Sequence, residues 1–207
     1  MAIHRPAGRQ TMGDESMRFD RVIYFDNVRE SLFEGALSQQ QVDGQNLILA
    51  IFENQYGGTP MTDERWLAYM LATVFHETGF GMWPNTEQGS DSYLQGKDYW
   101  PYIGRGYVHL TWEDNYRNAS AALGLIGDRD LVAHPELALD SLIATRIMFR
   151  GMAEGWFTGA KLGQFFNDTE DDPLNARTII NGHDCDDQIA GYHEKFLSAL
   201  HNAIVEF

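Results

Sequence analysis

The clearest run of apolar residues at helical spacing follows Thr62 and stops at Gly79. Its apolar residues recur at steps of four positions, with Trp66, Met70 and Val74 in one row and Leu67, Leu71 and Phe75 in the next. Such spacing gathers them on one side of a helix. We therefore predict a helix that Thr62 caps at its start and that Gly79 ends.

Similar spacing predicts helices over most of the remaining chain, so we expect a mainly α fold. The other predicted helices are residues 20–35, 38–55, 112–123, 136–154, 159–167, 172–181 and 186–205. Residues 80–107 instead form a long loop rich in Gly, Asn, Asp and Ser, and residues 102–110 could form a short strand or extended turn. A loop of that length in a compact domain usually has a function.

The length of 207 residues and the hydrophobic fraction of 43% are typical of one large soluble domain. Residues 1–16 are polar and without periodicity, so we expect a flexible arm followed by one domain over residues 17–207. The arm lacks the apolar stretch of a secretory signal. No run of about 18 apolar residues suggests a membrane span either. We expect synthesis in the cytoplasm.

The charge is strongly negative, with 30 Asp and Glu against 15 Lys and Arg and a formal net charge of −15. A nucleic-acid partner would need a positive surface, and docking on anionic lipids would need basic residues as well. We therefore expect neither a nucleic-acid partner nor a membrane partner. We also expect the protein to be a monomer. Cys185 is the single cysteine, so no internal disulfide can form.

Glu77 stands near the end of the strongest predicted helix, in the segment FHETGFG. It follows Val74 by three positions, which places its carboxyl at the rim of the apolar face. Burial and the helix C-terminus both disfavour the charged form, so we expect a raised pKa suited to a general acid. A surface glutamate is the alternative.

His76 suggests a metal, but Phe80 occupies the second histidine position of the H-E-x-x-H motif, so we expect neither metal nor cofactor.

A second group of chemical side chains lies in YIGRGYVHLTW, residues 102–112. Gly104 and Gly106 flank Arg105 and allow a sharp turn. Arg105 is a permanent cation with a forked donor that could anchor Glu77 or a neighbouring acid. Thr111 offers a hydroxyl and Asn115 an amide one turn later. A glycine-rich turn with a capping threonine is the plainer interpretation.

The third group is ARTIINGHD, residues 176–184, in which Asn181 ends an apolar segment and could point its amide into a cleft. Asn181-Gly182 is also a common turn pair. Aromatic residues cluster around the long loop, and their flat faces and polar tips suit sugar rings. They are Phe80, Trp83, Tyr93, Tyr99, Trp100, Tyr102, Tyr107 and Trp112.

Taken in order, HETG, YIGRGYVHLTWEDNY and IING resemble glycoside hydrolase family 19 over about residues 66–200. This family contains plant-type chitinases and bacteriophage endolysins, and the short chain is similar to the phage and bacterial branch. The resemblance implies a lysozyme-like, two-lobed helical domain with a cleft. It also implies that residues 17–207 form a catalytic domain.

The resemblance also implies roles for individual residues. Glu77 would be the general acid, and Glu87, with Asp91 and Asp98 as rivals, would be the carboxylate that activates water for inversion. Thr111 would help to hold that water. His109 stands where the family often has Gln, which leaves the sugar contact there open. The remaining residues implied to shape the site or to contact substrate are Tyr102, Arg105, Asn115 and Asn181.

Three hypotheses follow. The first is hydrolysis of β-1,4 bonds between N-acetylated amino sugars, in bacterial peptidoglycan reached after release from the cell, with chitin as the alternative polysaccharide. The acidic composition fits an anionic wall poorly and keeps chitin open. The second is a glycan-binding protein without catalysis. The third is a metal-dependent amidase or peptidase that uses His76 and another histidine.

Overall fold

The computed structural model describes residues 17–56, 61 and 63–205. The predicted arm over residues 1–16 lies outside these residues, and so does Thr62. Within the described part no helix is long and apolar enough to cross a membrane.

Seven α-helices dominate the described part of the chain, which confirms the mainly α prediction. They are α1 (Arg21–Leu32), α2 (Gln39–Ile51), α3 (Glu64–Glu77), α4 (Asp91–Gln95), α5 (Glu113–Leu123), α6 (Ser141–Glu154) and α7 (Asp186–Ala203). A π-helical turn, Phe52–Tyr56, directly follows α2. Two short strands, β1 (Asn85–Thr86) and β2 (Arg105–Gly106), pair antiparallel, with Asn85 opposite Gly106.

Helix α3 is the centre of the fold. Every residue from Leu67 to Phe75 is buried, so the helix is enclosed on all sides and not on one face only. It packs chiefly against α7, and α1 also packs against α7. This enclosed helix carries Glu77 as its last residue and thereby fixes the position of that side chain.

The cap of α3 differs from the prediction. The N-cap is Asp63, whose carboxylate accepts a hydrogen bond from the backbone N–H of Arg65 at 3.0 Å. Asp63 also binds the Arg65 side chain, with 2.6 Å between Nη2 and Oδ2. The Asp63 carboxylate therefore accepts hydrogen bonds from both the backbone N–H and the guanidinium of Arg65. At the other end Gly79 has φ of +59°, a left-handed conformation that suits glycine and ends the helix as predicted.

Three predicted helices are shorter than expected. The segment 136–154 is divided by Asp140, which ends a 3-10 turn, Pro135–Leu139, and caps α6. The segments 159–167 and 172–181 contain only 3-10 turns, Leu162–Gln164 and Asn175–Ile179. Proline and short polar residues that bind nearby backbone groups favour turns at these places over continuous helix. The long loop 80–107 also contains regular structure, namely β1 and α4.

Candidate active site

A cleft of about 490 Å³ opens beside the end of α3. Five of the predicted site residues line it together, although they come from three separate segments. The lining residues are Glu77, Tyr99, Val108, His109, Thr111, Trp112, Asn115, Phe157, Ile180 and Asn181. Glu77 is the one carboxylate among them.

Glu77 is held by a residue that the sequence did not reveal. Arg177, in the 3-10 turn Asn175–Ile179, places Nη1 2.7 Å from Oε1 of Glu77. The Arg177 side chain is 3% exposed, and its Nε donates to the backbone oxygen of Asp184 at 2.9 Å. The buried guanidinium is therefore fixed from both ends and holds one carboxylate oxygen in place.

The second oxygen of Glu77 faces His109. Nδ1 of the imidazole lies 3.4 Å from Oε2, and Nε2 lies 2.9 Å from Oδ1 of Asn85. Because Asn85 belongs to β1, the two-stranded sheet sets the orientation of the ring. His109 itself has φ of +50°, and a left-handed non-glycine residue at a cleft is a form of strain often found at functional sites.

The expectation of a raised pKa for Glu77 is wrong. Burial is the largest single influence and does raise it, but the hydrogen bond with His109 and the charge and hydrogen bond of Arg177 outweigh burial. The net effect lowers the pKa of Glu77 below its ordinary value of 4.5. The carboxyl is therefore ionised at neutral pH.

Three further residues with predicted roles present polar atoms along the cleft. Thr111 lines the cleft and donates from Oγ1 to the backbone oxygen of His109 at 2.7 Å, so its hydroxyl oxygen can still accept a hydrogen bond. Asn115 donates to the backbone oxygen of Thr111 at 2.8 Å. Asn181 accepts the Gly182 N–H at 2.9 Å, as in a turn, and also lines the cleft.

Glu87 lies next to the cleft and not among its lining residues. Its Oε1 accepts the Gly104 N–H at 2.9 Å, and its Oε2 accepts the Tyr99 hydroxyl at 3.2 Å. A Cβ placed on Gly104 would lie 3.1 Å from Cβ of His109, 3.3 Å from Cβ of Glu87 and 3.3 Å from Oγ1 of Thr111. Gly104 is thus the small residue around which three predicted site residues converge.

The structure contradicts the expectation that Arg105 anchors Glu77. Its Nη1 donates to the backbone oxygen of Pro101 at 3.0 Å and to the hydroxyl of Tyr116 at 3.1 Å. Arg105 belongs to β2, and its guanidinium binds backbone oxygens of the same loop, those of Pro101 and Ile103. The cation next to Glu77 is Arg177. Arg105 therefore supports the loop that carries His109 and is not part of the cleft lining.

A second groove adjoins the cleft and shares Tyr99 and Trp112 with it. Its volume is about 290 Å³ and its lining residues are Asp98, Tyr99, Trp100, Tyr102, Trp112, Glu113 and Asp114. Tyr102, predicted for the site, lies here and donates to the backbone oxygen of Val132 at 3.3 Å. The rings of Tyr99 and Trp112 meet edge to face at 5.2 Å, and Trp112 is 52% exposed with φ of +74°. The two grooves together form a path with aromatic walls.

The described residues contain no cluster of side chains that supports the alternative of a metal site. Among the described residues there is no group of three or more His, Cys, Asp or Glu side chains placed to hold a metal ion. His76 is half-buried beside Glu77, and burial, the largest influence, lowers its pKa. Its imidazole is consequently a neutral neighbour of the ionised Glu77.

Comparison with known proteins shows the fold. No family model matches the sequence, and no curated protein does. A mutant of a chitinase C superposes with a TM-score of 0.55 at 20% identity, over 91% of this chain and 95% of the other. The chitinase C of Streptomyces griseus superposes with a TM-score of 0.53 at 19% identity, over 91% and 79%. The expected lysozyme-like chitinase fold is therefore confirmed.

Proposed function

We propose that this protein is a glycoside hydrolase that cleaves β-1,4 bonds between N-acetylated amino sugars. The observation that carries the proposal is the position of Glu77, the one carboxylate among the described lining residues of an aromatic cleft. The chitinase-like fold supports it, since an acid at the end of a central helix facing such a cleft suits cleavage of a bound glycan.

Glu77 serves as the general acid in this proposal. Arg177 holds Oε1, so Oε2 is the oxygen left to carry the proton to the glycosidic oxygen. When the proton is delivered, the bond to the leaving sugar breaks and Glu77 returns to the carboxylate that Arg177 stabilises. The buried arginine thus favours the state that the acid reaches after the proton has left.

Glu87 is proposed as the carboxylate that activates water. Its closeness to Thr111 and His109 around Gly104 supports this role, because a water between Thr111 and Glu87 would face the same sugar as Glu77. An inverting pair needs room for that water, about 6.5–9.5 Å between carboxyls. The rivals Asp91 and Asp98 lie elsewhere: Asp91 begins α4 and Asp98 lines the adjoining groove.

The cleft offers partners for an N-acetylated sugar. The side-chain amides of Asn115 and Asn181 can pair with hydroxyl and acetamido groups. Tyr99 and Trp112 provide ring faces for the apolar side of a pyranose and continue into the adjoining groove, where Tyr102 lies. A chain of several sugars would therefore occupy both grooves.

We propose bacterial peptidoglycan as the substrate. The protein would act on it as a monomer, after release from the cell that makes it. Chitin is the second candidate, for two reasons. The structures that superpose on this chain are chitinases. The net charge of −15 also repels the carboxylates of a peptidoglycan wall, whereas chitin is neutral.

The test is to incubate the purified protein separately with outer-membrane-stripped bacterial cells and with N-acetylglucosamine hexamers. Turbidity, new reducing ends and product masses are followed. Loss of turbidity with new reducing ends identifies peptidoglycan, and shortened hexamers without lysis identify chitin. Binding to either substrate without new reducing ends would contradict the proposal and favour the glycan-binding alternative.

A further inference from the structure

The geometry around Glu77 raises the question of where the acid obtains its proton. The carboxyl is ionised in the free protein because Arg177 lies 2.7 Å away and His109 contacts the other oxygen. A general acid must nevertheless be protonated when the glycosidic bond breaks. The nearest group able to supply a proton to Oε2 is Nδ1 of His109, at 3.4 Å.

Asn85 determines which nitrogen of His109 carries hydrogen. Its Oδ1 can only accept, so Nε2 of His109, 2.9 Å away, donates to it. In a neutral imidazole Nδ1 is then an acceptor, and an ionised Glu77 is an acceptor too. The contact between Nδ1 and Oε2 is therefore satisfied only when one proton lies between them.

We propose that Glu77 and His109 share one proton, which lies on Nδ1 of His109 in the free protein and moves to Oε2 of Glu77 when a glycan is bound. This inference rests on the proposed function. In the transfer the N–H bond of Nδ1 breaks and an O–H bond forms at Oε2. The imidazole becomes neutral with hydrogen on Nε2, still bound to Asn85. Glu77 then gives the proton to the glycosidic oxygen.

Burial by the substrate favours this transfer. Sugar rings displace water from the cleft, and loss of water disfavours a carboxylate beside an imidazolium relative to two neutral groups. Arg177 keeps its charge throughout and stabilises the carboxylate, so it opposes this step and favours the ionised Glu77 that forms once the proton has left. The adjustment thus needs no movement beyond shortening of the Nδ1–Oε2 contact, which is common when a catalytic site fills.

Other titratable groups surround the pair from each neighbouring element. They are His76 and Tyr69 on α3, Glu87 and Tyr99 in the loop, Arg177 in the 3-10 turn, and Asp184 and Cys185 before α7. None of them is shown within reach of Oε2 as a proton donor. The sharing of a proton is therefore assigned to His109.

The test compares kcat/KM on a soluble N-acetylated oligosaccharide across pH for wild type, His109→Gln and His201→Gln. Gln retains an amide but carries no extra proton, and His201 is an exposed histidine at the far end of α7, 74% exposed. At acid pH solvent protonates Glu77 in every form, so rates converge. Toward neutral pH the His109→Gln rate falls by roughly tenfold per pH unit, to a loss of about 10²-fold, while His201→Gln follows wild type.

A uniform loss at all pH values, or no loss, would overturn the proposal, since a residue that only positions Glu77 affects every pH alike. If His109→Gln does not fold, His109→Asn replaces it, because Asn tolerates a left-handed φ.

A second measurement is independent of hydrolysis. ¹⁵N-histidine spectra of the free wild type should show hydrogen on both ring nitrogens of His109 at a pH where Glu77→Gln shows hydrogen on Nε2 alone. A neutral ring in both proteins contradicts the shared proton. Wild type that cleaves no glycan would contradict only the proposed function.

Discussion

Arg177 and Glu77 form a buried ion pair across 100 positions of sequence, with 2.7 Å between Nη1 and Oε1. The pair joins the end of α3 to the 3-10 turn Asn175–Ile179, which is followed directly by the cleft-lining residues Ile180 and Asn181. Glu77 is ionised because the hydrogen bond with His109, together with the charge and hydrogen bond of Arg177, outweighs the burial that would raise its pKa.

Removing the arginine should destabilise the fold and change its response to acid. Arg177→Met leaves Glu77 buried without its cation, at a cost of about 3–5 kcal/mol. In wild type the pKa of Glu77 is lowered on folding, so its stabilising contribution is present above the ordinary value of 4.5 and is lost as pH falls through the folded value. Thermal unfolding from neutral to acid pH should show this loss in wild type and a smaller loss in Arg177→Met, where the His109 hydrogen bond remains to lower the pKa of Glu77.

Arg29→Met is the matched control for that experiment. Arg29 pairs with Asp26 at 2.5 Å on the surface, where side-chain exposures are 37% and 63%. Such a pair contributes less than about 1 kcal/mol. An equal decrease in the free energy of unfolding of the two variants would show that the buried Arg177–Glu77 pair contributes no more to stability than the surface Arg29–Asp26 pair.

Gly104→Ala should lower activity more than stability. The added Cβ would meet Cβ of His109 at 3.1 Å and Oγ1 of Thr111 at 3.3 Å, so the site residues must move by a few tenths of an ångström. Displacements of that size reduce rates strongly, and we expect a loss of about tenfold or more in kcat. Gly191→Ala in α7 is the control, since its Cβ meets nothing within 4 Å and should raise Tm slightly. An active Gly104→Ala enzyme would show that this convergence is unimportant.

Trp112→Ala should weaken glycan binding without unfolding the protein. The side chain is 52% exposed and contacts Tyr99 where the two grooves meet. Loss of a stacking ring should raise KM for long oligosaccharides by about tenfold, with a smaller effect on kcat. Ile126→Ala, an apolar residue 81% exposed and outside both groove linings, should leave KM unchanged. The prediction fails if both substitutions have the same effect.

Chelation separates the proposed mechanism from a metal-dependent amidase. A carboxylate-based glycosidase needs no metal for proton transfer, so prolonged treatment with chelator followed by desalting should leave the rate unchanged. Activity that disappears and returns with added zinc would favour the amidase hypothesis, as would products that lack new reducing ends.

The order of motifs along the chain allowed much of the cleft to be predicted. Glu77, His109, Thr111, Asn115 and Asn181 do line one cavity. This was possible because α3 is buried from Leu67 to Phe75 and ends just before Gly79, which fixes where Glu77 emerges. Hydrophobic spacing also located the long helices to within a few residues.

The partner of Glu77 could not be read from the sequence. Arg177 lies 100 positions from Glu77 in a segment without a recognisable charge pattern, and only the packing of its turn near α3 brings it to the carboxylate. Arg105, between two glycines, looked like the better anchor but binds its own loop. The predicted rise in the pKa of Glu77 failed for the same reason, because burial was visible in the pattern and the opposing cation was not.

The central claim, that Glu77 is the acid of a glycosidase, is tested most directly by comparing hydrolysis by wild type and Glu77→Gln on stripped bacterial cells and on chitin oligomers. The amide has nearly the same shape and cannot donate the proton, so the rate should fall by about 10²–10⁴-fold while saccharide binding persists. Reducing ends that form with wild type and nearly vanish with Glu77→Gln are the predicted result. Equal hydrolysis by both proteins would contradict the assignment.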